Sequence, residues 1–341
     1  MDPMLKEQND RVLDTFRFWI NNARSTALPQ SILPGVLAVC MASQVKGFSA
    51  GLGILAVLGV IIGHLGINLF DDYFDYKVKG TQFRDVLAQK GFRSRIAKCH
   101  YITSGATDLD SLLTAACAFS LTAMLIGGVL FVFREYFIAA VAFITAILGI
   151  SYSGPPLRLS YRGLGEFVIG IVFGPLLMIG VYYSACGRFD GSVLFVSIPV
   201  GLLVANIVYT HAIMDYEPDK EVGKMTLAVL LKNKNAMLCC LAFFLLAAFA
   251  SIIAGVISGY LSKYYLLTLL AFPMACALFY LMVQFVRYPQ KKFSPRFWMG
   301  PMSNWPLIQK NQLEWFMIRW LLARNLLSFF CLIVIVVSFL S

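Results

Sequence analysis

The chain has 341 residues, of which 59% are hydrophobic and only 13% charged, and it carries a formal net charge of +10 at pH 7. A soluble domain averages about 45–50% apolar and ~25% charged residues, so a soluble globular enzyme is excluded. A nucleic-acid surface is excluded as well, because the Lys and Arg residues are scattered through short loops between apolar blocks, a pattern of membrane topology.

From the N-terminus, residues 10–27 predict an interfacial helix. Val12, Leu13, Phe16, Trp19, Ile20 and Ala23 recur at helical spacing, with Arg11 and Asp14 toward the other face, as in a helix lying in the headgroup plane. No secretory signal precedes the first apolar run. Apolar blocks bounded by charge or turn residues then predict spans near 29–46, 50–75, 110–132, 136–153, 164–185, 192–214, 235–257, 264–285 and 321–340. Each approaches the ~20 residues needed to cross a hydrocarbon core. With the N-terminus cytoplasmic, the inner segments hold 24 of the 28 basic residues, and the outer loops hold only Lys46, Arg134, Arg188 and Lys263. This positive-inside split supports nine crossings and a C-terminus on the opposite side. The expected fold is all-α, one integral-membrane domain over residues 1–341, with nine transmembrane helices around a central cavity open to the cytoplasmic face. Residues 1–28 form its interfacial segment, and 286–320 form a cytoplasmic loop before the last helix. The eight cysteines show no CxxC or zinc-type spacing and read as core residues.

The chemistry is carried by polar residues placed where they are expensive. A charge at the centre of a membrane helix costs about 2.5–3.5 kcal/mol on insertion scales, so intramembrane acids usually line a functional cavity. Span two ends in GINLFDDYFDYKVKG, where Asn68, Asp72 and Asp75 stand at i, i+4 and i+7 on one helix face, with His64 a turn earlier. Span six ends in HAIMDYEPDKEVGKMTLAV, where Asp215 and Asp219 are i, i+4 and His211 again precedes by one turn. Both clusters reach the same membrane face. Oxygen ligands without paired Cys or His suit Mg²⁺, which completes its shell with water and substrate phosphates. Two facing clusters would thus hold metal ions that hold a diphosphate, with Arg93, Arg95, Lys98, Lys220 and Lys224 in the adjoining loops screening the departing charge. His64 and His211 read as hydrogen-bonding packing residues, and Asp71 and Glu217 as solvated at the membrane boundary.

These motifs resemble the UbiA-type intramembrane prenyltransferases, which carry an Asn and two Asp at the end of the second helix and an Asp pair at the end of the sixth. DDYFDYKVKG, YSGPPLRLSYRGLGE with FGPLLMIGVYY, and DKEVGKMTLAV are most similar to the branch acting on 1,4-dihydroxy-2-naphthoate in menaquinone biosynthesis. The resemblance implies Mg²⁺-dependent transfer of a polyprenyl group from an allylic diphosphate to an aromatic acceptor, in a membrane expected to be that of a bacterial cell. It implies Asn68, Asp72, Asp75, Asp215 and Asp219 as metal ligands, with Asp72, Asp215 and Lys98 as the catalytic set. Arg24, Tyr152, Arg158, Tyr161 and Arg162 stand as candidates for acceptor binding. Three departures mark this chain: Asp71 where the branch usually has Asn, an extra residue before Gly80, and Gln82 where an acid often follows. Arg287 to Arg324 carries no assigned chemistry. The alternatives are the same reaction on 4-hydroxybenzoate, homogentisate, haem or a glycerol phosphate lipid, and, from another class, a cation- or proton-coupled transporter. Oligomeric state and prenyl chain length are written in no motif.

Overall fold

The structure, a computed structural model, describes residues 3–77, 99–221, 223–289, 291–302 and 304–340. It is all-helical among these residues apart from one isolated backbone bridge between Arg162 and Met225. In chain order the helices are α1 (Pro3–Asn22), α2 (Pro29–Ala42), α3 (Ala50–Lys77), α4 (His100–Thr103), α5 (Leu109–Ser153), α6 (Gly165–Cys186) and α7 (Gly191–Met214). There follow α8 (Tyr216–Glu221), α9 (Leu227–Leu231), α10 (Lys234–Ile257), α11 (Lys263–Arg287), α12 (Trp305–Lys310) and α13 (Glu314–Ser338).

Among the described residues, seven helices are long and apolar enough to cross a membrane: α3, α5, α6, α7, α10, α11 and α13. The chain is therefore a multi-pass integral membrane protein. Two differences from the nine predicted spans have distinct causes. Helix α2 stops at Ala42, where the Ser43 hydroxyl bonds back to the Cys40 carbonyl, and 14 residues rise only ~21 Å. Helix α5 has 45 residues, which as a straight rod would be ~68 Å long against a hydrocarbon core of ~30 Å. It is not straight, because Glu135 breaks it with φ 58° and ψ −154°. Gly66 of α3 faces Ser120 while Ile67 faces Gly149, so the two halves of α5 lie at the same height on α3 and the chain folds back at Glu135. The Arg134 guanidinium fastens this turn to the end of α6 through the Ser184 and Ala185 carbonyls, at 2.8 and 3.1 Å.

The last helix begins at Glu314, earlier than the 321 read from the sequence, and α12 interrupts the loop before it. Arg319, counted above among loop charges, is instead fully buried in α13. Its Nε donates to the Leu281 carbonyl at 3.0 Å and its guanidinium lies over the rings of Phe285 and Phe293. A carbonyl acceptor and two ring faces offset part of the cost of burying an arginine within an apolar helix.

Helices α6 and α7 cross at very short range. An added Cβ on Gly174 would lie 2.5 Å from the Gly201 Cα and the Ser197 carbonyl, and one on Gly201 would meet the Gly170 carbonyl. Small residues permit such backbone approach, which lets dispersion forces act where lipid removes the hydrophobic drive. Gly174→Ala is expected to cost about 1–3 kcal/mol, read as a lower unfolding midpoint in detergent. Gly127→Ala, whose Cβ meets nothing within 4 Å, is the control.

Two apolar cores result. The larger joins α2, α6, α7, α10, α11 and α13, and the smaller gathers Ala23, Leu65, Leu69, Tyr101 and Leu112 around Phe18 and Trp19. The crossing just described fixes the end of α7 relative to α6, while α3 stands against α5. The acid-bearing ends of α3 and α7 therefore meet over the seam between the cores.

Candidate active site

A cavity of about 430 Å³ occupies that seam. Its wall includes Asn68 and Asp72 from α3, and Asp215, Asp219 and Lys224 from the end of α7 and the segment after it. The two clusters recognised in the sequence thus share one chamber. Deeper down the wall turns apolar, with Ile67, Val168, Val172, Phe173 and Ile207.

The acids are buried and held. Arg24, just after α1, places its guanidinium 2.7 Å from Asp71 Oδ2 and 3.0 Å from Asp72 Oδ1, and donates to the Asn68 carbonyl at 2.9 Å. Burial alone would lower its pKa, but the charges of Asp72 and Asp71 outweigh that and hold it above its ordinary value. Its backbone is left-handed, φ 60°, a conformation uncommon for a non-glycine residue and often found at functional sites. The Tyr101 hydroxyl donates to Asp72 Oδ2 at 3.0 Å. Burial first, and then the Asp72 charge, push that phenol well above its usual value. Asn68 donates its amide to the Ala23 carbonyl at 2.9 Å. In the second cluster His211 Nε2 lies 3.0 Å from Asp215 Oδ2.

Several sequence readings change. Asp71 is buried rather than solvated, engaged by Arg24 and by the Ser153 hydroxyl. The departure to Asp at this position gives Arg24 a second carboxylate, and an arginine bridging two acids avoids leaving either charge buried alone. Asp75 accepts from the Tyr161 hydroxyl at 2.7 Å and lies 3.7 Å from Lys224 Nζ, outside the cavity wall. Tyr161 thus reaches an acid rather than the chamber. Tyr152 does line the cavity. Arg158 and Lys220 do not, and both are exposed. With Asp219 turned inward, Lys220 is rotated ~100° away on α8, and it stands over the Tyr216 ring. Arg162 bonds the Pro156 carbonyl at 3.2 Å. Arg93, Arg95 and Lys98 lie outside the described residues. His64 pairs with the Ser31 hydroxyl at 2.9 Å and meets the Phe173 ring edge-on, in keeping with a packing role.

Tyr101, Ser160 and Glu166 are among the polar wall residues that the sequence did not single out. Tyr101 and Ser160 carried no signal, since isolated hydroxyls are unremarkable. Glu166 did carry one, as an acid opening an apolar span, the same expensive placement that flagged the aspartates.

The donor set suits Mg²⁺. Asn68, Asp72, Asp215 and Asp219 present oxygen only. Among the described residues no three acidic, histidine or cysteine side chains converge into a ready-made metal cage. Mg²⁺ favours such sparse sites, taking one or two carboxylates and leaving its other positions to water and phosphate.

The model of the UbiA prenyltransferase family matches residues 31–303. A 1,4-dihydroxy-2-naphthoate octaprenyltransferase from Bacillus subtilis is 25% identical over 249 residues, 72% of this chain and 76% of the relative. A 2-carboxy-1,4-naphthoquinone phytyltransferase from Synechocystis is 38% identical over 91 residues, 27% of this chain and 30% of the relative. Among solved structures, a UbiA homolog from Aeropyrum pernix superposes with a TM-score of 0.58 at 16% identity, covering 93% of this chain and 97% of its own. Another from Archaeoglobus fulgidus, bound to GPP and Mg²⁺, gives 0.59 at 15% identity over 90% and 98%. At those identities the likeness concerns the fold. The family match spans most of the chain and falls on the helices that bring the two acid clusters together, and so the chain belongs to the UbiA prenyltransferase family and is a membrane prenyltransferase.

Proposed function

We propose that the protein transfers a polyprenyl group from an allylic diphosphate to an aromatic acceptor, 1,4-dihydroxy-2-naphthoate, in an Mg²⁺-dependent step of menaquinone biosynthesis. The observation that carries this reading is the single cavity walled by Asn68, Asp72, Asp215, Asp219 and Lys224 above an apolar floor. Several relatives with the naphthoate octaprenyltransferase name support the acceptor. The archaeal homologs bound to GPP or DMAPP with Mg²⁺ support the donor and the metal.

In this reading Asn68, Asp72, Asp215 and Asp219 would hold Mg²⁺, which when bound offsets the charge that builds on the departing diphosphate. Lys224 approaches the same charge, with Arg93, Arg95 and Lys98 proposed to join it from residues 78–98. The apolar wall of Val168, Val172 and Phe173 receives the first isoprene units and excludes water, so each fixed charge acts at low dielectric. The allylic C–O bond breaks with its electron pair leaving on the diphosphate, and a π pair of the acceptor ring forms the new C–C bond. Loss of the ring carboxylate as carbon dioxide then returns an electron pair to the ring. Arg24 and Tyr152 line the chamber where that ring would lie. Lys220 and Arg158, exposed and outside the chamber, are not retained in these roles.

We also propose nine crossings, counting α2 and both halves of α5, in one domain with the acids and the N-terminus at the cytoplasmic face of a bacterial cell membrane. The Lys and Arg distribution supports that orientation.

The test is product formation by the purified protein in lipid, supplied with Mg²⁺, a polyprenyl diphosphate and 1,4-dihydroxy-2-naphthoate. A prenylated naphthoquinol is expected, and chelation of the metal should lower its rate by about 10³-fold. If only another aromatic acid is prenylated, the acceptor assignment falls and the metal-diphosphate site stands. If no acceptor works and no diphosphate binds, the proposed activity falls.

A further inference from the structure

Glu166 opens the apolar helix α6 and is 2% exposed. It stands in the cavity wall beside Thr226 and Lys224. Its Oε1 accepts the Leu227 backbone N–H at 3.2 Å, which ties α6 to the first residue of α9 and reinforces the nearby Arg162–Met225 bridge. Its Oε2 is buried and has no hydrogen-bond partner among the described residues. The tie to Leu227 accounts for one oxygen only. A neutral amide would make the same bond without burying a second, bare carboxylate oxygen, whose desolvation is costly. An unsatisfied buried oxygen in a cavity wall points to a ligand that satisfies it.

The chemistry of that ligand follows from what a carboxylate can bind. Acting as an acceptor, it repels the diphosphate of one substrate and the carboxylate of the other, so between the two organic substrates its match is a ring hydroxyl of the aromatic acceptor. On the reading given under Proposed function, we infer that Glu166 binds a ring hydroxyl of the aromatic acceptor through Oε2. As the ring gives electron density to the allylic carbon, that hydroxyl oxygen becomes more positive and its hydrogen a stronger donor. The bond therefore tightens in the transition state, where it raises turnover and not affinity alone. Glu166 thereby orients the ring from the start of α6, next to the Lys224 side of the chamber.

The experiment compares wild type and Glu166→Gln with 1,4-dihydroxy-2-naphthoate and its two mono-methyl ethers, alongside calorimetric binding of geranyl diphosphate with Mg²⁺. In wild type, methylation of the bound hydroxyl should lower kcat/KM by about 10- to 100-fold, the loss expected for a hydrogen bond to a charged group. Glu166→Gln should lose a similar factor with the parent acceptor, lose little more on that ether, and bind geranyl diphosphate as wild type does. An equal loss on all three acceptors, or a loss of diphosphate binding, would mean that Glu166 only holds the loop and overturns the inference. If Glu166→Gln does not fold, Glu166→Asp keeps the charge with shorter reach, and the same selective or uniform loss decides. If wild type binds the diphosphate but prenylates no hydroxylated acceptor, the proposed function falls and this inference falls with it.

Discussion

Asp72→Ala and Asp215→Ala are each expected to lower kcat/KM for prenyl transfer by about 10³-fold or more, the scale of losing a preorganised charge in a dry site. The two acids come from different helices and face one chamber, so neither can replace the other. Their consequences for the fold should differ. Removing Asp72 leaves Arg24 still paired with Asp71 and frees Tyr101 of an acceptor. Removing Asp215 takes away the carboxylate 3.0 Å from His211, whose ring keeps its edge-on contact with Phe316. Single-turnover rates, measured beside calorimetric binding of geranyl diphosphate with Mg²⁺, check this. Near-normal turnover in either variant would remove that acid from the proposed machinery.

Arg24→Met is expected to have the largest effect on stability among single changes at the site, about 3–5 kcal/mol, the usual cost of removing one member of a buried ion pair. Asp71 and Asp72 are largely buried, and the guanidinium touches both. Without it two neighbouring carboxylates lose the guanidinium they share, and the Asn68 carbonyl loses a donor. A methionine keeps most of the apolar stem, so the loss reports the charge. The unfolding midpoint in detergent measures it, and a second set in the Asp71→Asn background should show a smaller loss because one stranded charge is already gone. An equal loss in both backgrounds would mean that Arg24 acts by packing. Arg24 connects the segment after α1 to α3, so its removal should also loosen the N-terminal helix, seen as faster amide exchange over Pro3–Asn22.

Much of this was legible in the linear chain, for physical reasons. Lipid requires long apolar runs and makes every buried charge costly, so spans and functional acids both stand out by placement. Helical periodicity then put Asn68 and Asp72 on one face without any structure. The same logic would have flagged Glu166, had acids at the mouth of a span been weighed alongside those at its end.

The readings that changed depended on what lies across from a residue. Asp71 looks solvent-facing from its neighbours in sequence, yet Arg24 and Ser153 reach it from distant segments. Arg319 looks like a loop charge, yet the Leu281 carbonyl and two phenylalanine rings make its burial in α13 tolerable. Lys220 and Lys224 are alike in composition and loop, but only Lys224 turns into the chamber. By itself the sequence determined that the chain crosses a membrane in helices and that oxygen-rich clusters end two of them, because solvent and helical period act on each residue locally. Which acids face the cavity, which are neutralised by arginine, and which oxygen remains open for a substrate were decided only by the tertiary structure, because partner choice depends on the close crossing of α6 with α7 and the fold-back of α5 against α3.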